Sequence, residues 1–231
     1  MNGKTVRPRI PVWDVWIRLG HWLIVLGVAF QQYSGEDIDL IDAHATVGIL
    51  LGGWVIFRLI WGYAGPKYAR FSNFPIGEPQ ALLRSIKLFI YKTSEKTPGH
   101  TTIGGLGVYA LVFLIGFTSL SGMASSDDIY FTGPLASLFS DGLVKLASQL
   151  HPLLGEALLI FIGIHIAAIV WHVVAIKDPL IKGMISGYKP SFGQSIGHPH
   201  PFSKAILLRG FLFLILCLGG AYVVLGIVLG W

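Results

Sequence analysis

Cysteine is nearly absent from the 231-residue chain, in which Cys217 stands alone. A single thiol excludes zinc ribbons, cysteine-ligated iron-sulfur clusters, a disulfide framework and the C-x-x-C-H attachment of c-type haem. Charge is scarce as well. Only 13% of the residues are Asp, Glu, Lys or Arg, against about 25% in a soluble domain. With 53% hydrophobic residues and a mean hydropathy of +0.67, the chain cannot furnish a water-facing surface and reads as a membrane protein. The net charge is +5, yet the 17 basic residues do not gather into one basic face, so no nucleic-acid partner is expected.

What the chain does have is long apolar runs. A helix crossing a bilayer needs about 20 predominantly apolar residues, because nothing in the hydrocarbon can satisfy exposed backbone groups. Five stretches predict spans: 16–32, 45–61, 103–123, 153–176 and 205–229. The first has no small-residue cleavage site after it and carries Arg18 and His21 in its apolar part, so it is expected to be a retained helix rather than a signal peptide. Along an alternating path through these spans, every Lys and Arg except Lys145 falls on one side. The positive-inside rule then places the N-terminus in the cytoplasm and the C-terminus outside. The outer loops are acidic, with Glu36, Asp37, Asp39 and Asp42 in the first and Asp127, Asp128 and Asp141 in the second. Such a face suits a basic soluble partner and plain solvation equally. Between the second and third spans, Pro79 can open an amphipathic helix on the inner leaflet, with Leu82, Leu83, Ile86, Phe89 and Ile90 at helical spacing. Residues 186–203 read as a loop leading to an appended fifth helix.

Five of the eight histidines lie in or beside the spans: His21, His44, His151, His165 and His172. An ionisable side chain at membrane depth points to function, although one histidine alone can simply bond a neighbouring helix. His151 and His165 are 14 residues apart, which is about 21 Å of rise and about 40° short of whole turns, so they share a helix face at two depths. His44 opens the second span at the depth of His151. His21 lies about 18 Å below the outer end of its span, near the depth of His165. His172, about 31 Å below His151, matches His21 less well and is kept as an alternative ligand. Two histidine pairs at two depths suit two haems, each held between imidazoles on facing helices. Arg18, Arg58 and Arg70 suit haem propionates or a quinone head group, and lipid-headgroup anchoring accounts for them equally well. Glu156 suits proton transfer or a place at the membrane interface. His100, His198 and His200 fall in loops and lack the further ligands of a metal site.

These residues also resemble a family. Val12-Trp13-Asp14-Val15-Trp16-Ile17-Arg18-Leu19-Gly20-His21-Trp22 is similar to the V-x-D-x-x-x-R-x-x-H-W start of the bacterial cytochrome b561 and nickel-iron hydrogenase b-type cytochrome family. Arg58-Leu59-Ile60-Trp61-Gly62, Tyr68-Ala69-Arg70-Phe71 and Gly99-His100-Thr101-Thr102-Ile103-Gly104-Gly105 resemble further elements of it. So do Asp127-Asp128-Ile129 and Met184-Ile185-Ser186-Gly187. The resemblance covers about residues 10–190 and departs from the family at Thr101 and Thr102. It implies an all-α integral membrane four-helix bundle over 1–190; the linker and fifth transmembrane helix expected over 191–231 lie outside the resemblance. It implies two b haems, with His21 and His165 on the cytoplasmic-side iron and His44 and His151 on the periplasmic-side iron. The implied function is electron transfer in the bacterial inner membrane between the quinone pool and a periplasmic cytochrome c, hydrogenase or dehydrogenase, as a subunit with quinol oxidoreductase-type activity. Two other readings are a stand-alone oxidoreductase acting on superoxide or ferric iron and, with weaker support from the depths of the histidines, a histidine-lined metal transporter.

Overall fold

In the computed structural model, residues 8–76, 79–93, 97–191 and 203–228 are described. Lys4, Arg7, Lys96, His198 and His200 lie outside the described residues, as do most of the expected 186–203 loop and the last residue of the expected fifth span. The described residues form seven α-helices: α1 (Val15–Ser34), α2 (Ile41–Ala64), α3 (Pro79–Ile90), α4 (Thr102–Met123), α5 (Asp141–Trp171), α6 (Leu180–Ser186) and α7 (Lys204–Val228). A π-turn, His172–Ile176, continues α5. Two strands, β1 (Arg9–Pro11) and β2 (Tyr188–Pro190), pair antiparallel with Arg9 opposite Pro190. This ribbon departs from an all-α expectation. Three residues per strand give no readable alternation, and each strand carries a proline, which cannot donate to the ladder.

Among the described residues four helices are long and apolar enough to cross a membrane: Ile38–Ala64, Thr102–Met123, Asp141–Ile176 and Lys204–Ala221. The chain is therefore a multi-pass helical membrane protein. The expected first span, α1, is 20 residues long but is not among them. The expected fourth span begins too late. The apolar run begins at Leu153, yet α5 begins at Asp141 and carries Pro152 inside it. The Ser140 carbonyl accepts from the N–H groups of Leu143 and Val144, and Asp141 places negative charge in the first turn, where the helix dipole favours it. The amphipathic helix forms as α3, with Leu83 and Ile90 exposed.

Two compact units emerge, Met1–Arg18 with Trp61–Val108 and Ile164–Gly210, and Leu19–Ile60 with Tyr109–Gly163 and Phe211–Trp231. The first is organised by Asp14, whose carboxylate is buried. Asp14 Oδ1 accepts from the backbone N–H of Trp16 at 2.9 Å and of Ile17 at 3.2 Å, capping α1. The Trp61 indole N–H donates to both carboxylate oxygens at 3.3 Å. Arg209 of α7 lies 5.5 Å from the Trp61 ring centre. Next to it, Gly210 leaves room for Trp16, whose Nε1 is 2.1 Å from where a Cβ would stand. Ile10, Val12 and Trp13 form the local core with Ile17, Tyr68 and Met184. In the second unit, Val28, Leu51, Val55, Leu114, Ile115 and Leu158 pack together.

Lys189, on β2, is only 2% exposed and meets Asp178 at 3.4 Å. Removing one partner of a buried ion pair costs about 3–5 kcal/mol, because the other charge is left desolvated and alone. Lys189→Met is therefore expected to lower the thermal midpoint of the detergent-solubilised protein, and the double variant Lys189→Met/Asp178→Asn to recover most of the loss. A single variant as stable as the parent would show that the pair does not hold this end of the fold.

Candidate functional site

His44, in the first turns of α2, and His151, in α5, face one another in the second unit. Their ring centroids are 6.2 Å apart and their planes cross at 83°. Each ring is held through Nδ1. Ser34, at the end of α1, uses its hydroxyl hydrogen on the Phe30 carbonyl at 2.8 Å. Its oxygen therefore accepts from His44 Nδ1–H at 3.0 Å. His151 Nδ1 lies 3.0 Å from the Thr118 carbonyl, which can only accept. Ser121 Oγ, itself donating to the same carbonyl at 3.0 Å, is 3.3 Å from His151 Nδ1. Both imidazoles are thus held in the tautomer that protonates Nδ1 and leaves the Nε2 lone pair for a metal. Gly122 leaves space for the His151 ring, whose Cε1 is 2.8 Å from where a Cβ would stand.

This arrangement fits bis-histidine ligation of one iron. An imidazole nitrogen binds a metal at about 2 Å and the ring centre lies about 1 Å beyond it, so two rings on opposite sides of one iron have centroids roughly 6 Å apart. Ser34, Thr118 and Ser121 did not stand out in the sequence. The only signal was a run of small hydroxyl residues in an otherwise apolar helix, which in membrane helices often marks a hydrogen-bonded contact.

The other expected site residues are placed as follows. His21 is half-buried beside the edge of Trp22, with ring centres 5.0 Å apart, and belongs to the second unit. His165, in the first unit, is half-buried on α5, and among the described residues no hydrogen bond or ring contact engages it. His172 opens the π-turn and lies 5.5 Å from the Phe89 ring of α3. There Trp171 Nε1 also donates to the Phe89 carbonyl at 2.9 Å. Arg18 donates to the carbonyls of Met184 and Ile185, so its charge sits at the C-terminal end of α6. Arg70 Nε donates to the Gly65 carbonyl at 2.6 Å, just beyond α2. Arg58 is 8% exposed within α2. Glu156 is exposed. His100, set aside in the sequence, packs between Trp13 and Phe74, with centroids at 4.7 Å and 4.4 Å. Among the described residues no group of three or more His, Cys, Asp or Glu side chains could hold a metal ion.

Apolar membrane helices presenting a facing pair of histidines define a class, the membrane b-type cytochromes. Within that class the chain belongs to the prokaryotic cytochrome b561 family, whose family model matches residues 12–187. It is also similar to a probable Ni/Fe-hydrogenase B-type cytochrome subunit from Azotobacter vinelandii, at 24% identity over 217 residues, covering 77% of this chain and 87% of that relative. No solved structure matches the chain. Membership implies haem b and a role in membrane electron transfer.

In the same unit as the histidine pair, the loop after α4 is tied by a single carboxylate. Asp127 Oδ1 accepts from the N–H groups of Ile129 at 3.0 Å and of Tyr130 and Phe131 at 2.8 Å. These bonds, that to Phe131 foremost, hold its carboxyl below the usual range. They favour the ionised form, so the order they give the loop is complete above the ordinary carboxylate range and is lost as pH falls through the lowered Asp127 value. Amide exchange at Ile129, Tyr130 and Phe131 is expected to quicken in that acid window, and at neutral pH in Asp127→Ala. Unchanged protection in the variant would separate the loop's order from the carboxylate.

Proposed function

We propose that the chain is a di-haem electron-transfer subunit of the bacterial inner membrane. In this reading His44 and His151 hold one haem b, and His21 and His165 hold a second. Electrons pass between membrane quinol and a redox partner on the periplasmic side: a cytochrome c, a hydrogenase or a dehydrogenase. The observation that carries the reading is the facing pair, His44 and His151, with a 6.2 Å ring separation and both Nδ1 atoms already committed to protein acceptors.

Bound haem b supplies one-electron exchange. The chain's own residues do the rest. His44 and His151 present Nε2, Ser34 and the Thr118 carbonyl fix how each ring is rotated, and the packed side chains of Val28, Leu51, Val55, Leu114, Ile115 and Leu158 keep water from the centre of the unit. Low local polarity of this kind sets a haem potential as firmly as the ligands themselves. Arg58 is assigned to a propionate of the second haem or to a quinone head group. Arg18 and Arg70 can join it only through N–H groups not given to backbone carbonyls. The distribution of basic residues supports a cytoplasmic N-terminus, five crossings and a periplasmic C-terminus. The name of the Azotobacter relative supports a hydrogenase-type partner. The end of the family match at residue 187 supports a haem-carrying domain over 1–190 and an appended linker and helix over 191–231.

Replacing His44 or His151 with alanine is expected to remove one of two haems from the purified protein, as is replacing His21 or His165, whereas His172→Ala retains both. Pyridine haemochrome and reduced-minus-oxidised spectra measure this. Loss with His172 changed and retention with His165 changed would move the second pair to His172. The 83° angle between the His44 and His151 rings adds a spectroscopic expectation. Crossed imidazoles leave two iron d orbitals nearly degenerate, so this centre should give a strongly anisotropic low-spin ferric EPR signal. The three-line rhombic signal of parallel rings in a protein retaining only this haem would contradict the assigned geometry.

A further inference from the structure

One polar group beside the His44 and His151 pair has no task in the fold. Gln31 stands on α1 three residues before Ser34, so both lie on the helix face that meets His44. Its Oε1 is shut off from solvent and has no hydrogen-bond partner among the described residues. Its Nε2 lies 3.0 Å from where a Cβ on Gly48 would stand, and apart from Gly48's chain neighbours and the adjoining backbone of α2 no other described atom lies within 4 Å of that point. Gly48 is one helical turn from His44 on the same face of α2. A position one turn from an imidazole that carries a broad flat ring is where a side chain would collide with that ring, and here the side chain is absent. Buried amides go without partners rarely, because leaving them unpaired is costly. The two ends of a glutamine amide also exchange by a simple flip, so Gln31 can offer either N–H or oxygen to an incoming group.

We infer that Gln31 is a haem-contacting residue, whose amide N–H donates to a propionate carboxylate of the haem held by His44 and His151, in the space that Gly48 leaves open. The inference rests on the di-haem reading above. Carboxylates are the hydrogen-bonding groups on the rim of haem b, and a neutral amide donor suits an ionised carboxylate beside the low-polarity interior. Negative charge near the iron favours the ferric state, so a donor or a cation facing the propionate raises the midpoint potential and its loss lowers it.

The test is a potentiometric titration of the purified two-haem protein with Gln31→Leu and Gln31→Lys. Gln31→Leu is expected to lower one of the two potentials, shifting the reduced-to-oxidised ratio at fixed potential by about tenfold, or 59 mV for one electron. Gln31→Lys is expected to raise the same potential, and neither variant to move the other or to lose haem. Opposite shifts at one centre report a charged neighbour; a merely structural role would move both variants the same way. Unmoved potentials, or shifts of the same sign, in variants that keep both haems would overturn the inference while leaving the di-haem reading intact. A second variant tests the space beside Gly48 independently. At the Cβ position of Gly48 the one neighbouring side chain within 4 Å is Gln31, and Gly48→Leu is expected to lose only the haem of His44 and His151. Retention of that haem in Gly48→Leu would also overturn the inference. Parent protein without b-type absorption bands would instead overturn the reading beneath it.

Discussion

The first unit depends on one desolvated carboxylate. Asp14 is 1% exposed, and an unpaired charge so deeply placed would cost several kcal/mol. Its oxygens are met by two backbone N–H groups that α1 leaves open at its start and by the Trp61 indole. Satisfying Asp14 therefore fixes where α1 begins and where the last turn of α2 must lie. Trp61 is completely buried and in turn gives Arg209 a ring to lie over. The same neighbourhood seats Trp16 against Gly210. A helix outside the matched family segment is thus docked, through Arg209 and Gly210, onto residues that belong to that segment.

The histidine pair obeys the same rule in the second unit, with hydrogen-bond direction in place of charge. A hydroxyl that has already given its hydrogen to an i−4 carbonyl can only accept, and a carbonyl can never donate. Ser34 and Thr118 therefore leave each ring a single arrangement of protons, with Nε2 unprotonated. Both Nε2 lone pairs are thereby left open to a metal, and the orienting groups come from α1 and α4 while the histidines come from α2 and α5. Four helices contribute to one pair of rings, which ties the chemistry of the site to the packing of the bundle.

Much of this was legible in the sequence, and for identifiable reasons. Long apolar runs announce spans because the bilayer allows so few alternatives, and the pairing of His44 with His151 followed from depth alone. What escaped had no local signature. The β1–β2 ribbon joins residues about 180 positions apart in the sequence, and three-residue strands carry no period. The bonds from Arg18 to the end of α6 span a similar distance. The start of α5 was misplaced because the apolar run that marks the span begins only at Leu153, whereas the helix begins twelve residues earlier, at Asp141. Ser34 and Ser121 are ordinary residues until the fold brings a histidine to each.

The composition of α1 shows why it is not among the helices apolar enough to cross a membrane. Leu19, Leu23 and Leu26 are exposed along one side at helical spacing, while Gly20, Gly27, Val28, Gln31 and Ser34 line the other. A mean taken around the whole helix adds Arg18, His21, Gln31 and Gln32 to an apolar flank that would by itself face lipid comfortably. The polar residues are not defects of a poor span. Ser34 orients the His44 ring, and Asp14 holds the helix start by capping it rather than by burying apolar surface. A helix with these duties falls below the apolar level of its neighbours because intramembrane polar groups are kept where they have partners or work to do. The fifth crossing therefore belongs with the reading of His21 as a ligand: both require α1 to lie in the bilayer with its polar side turned inward.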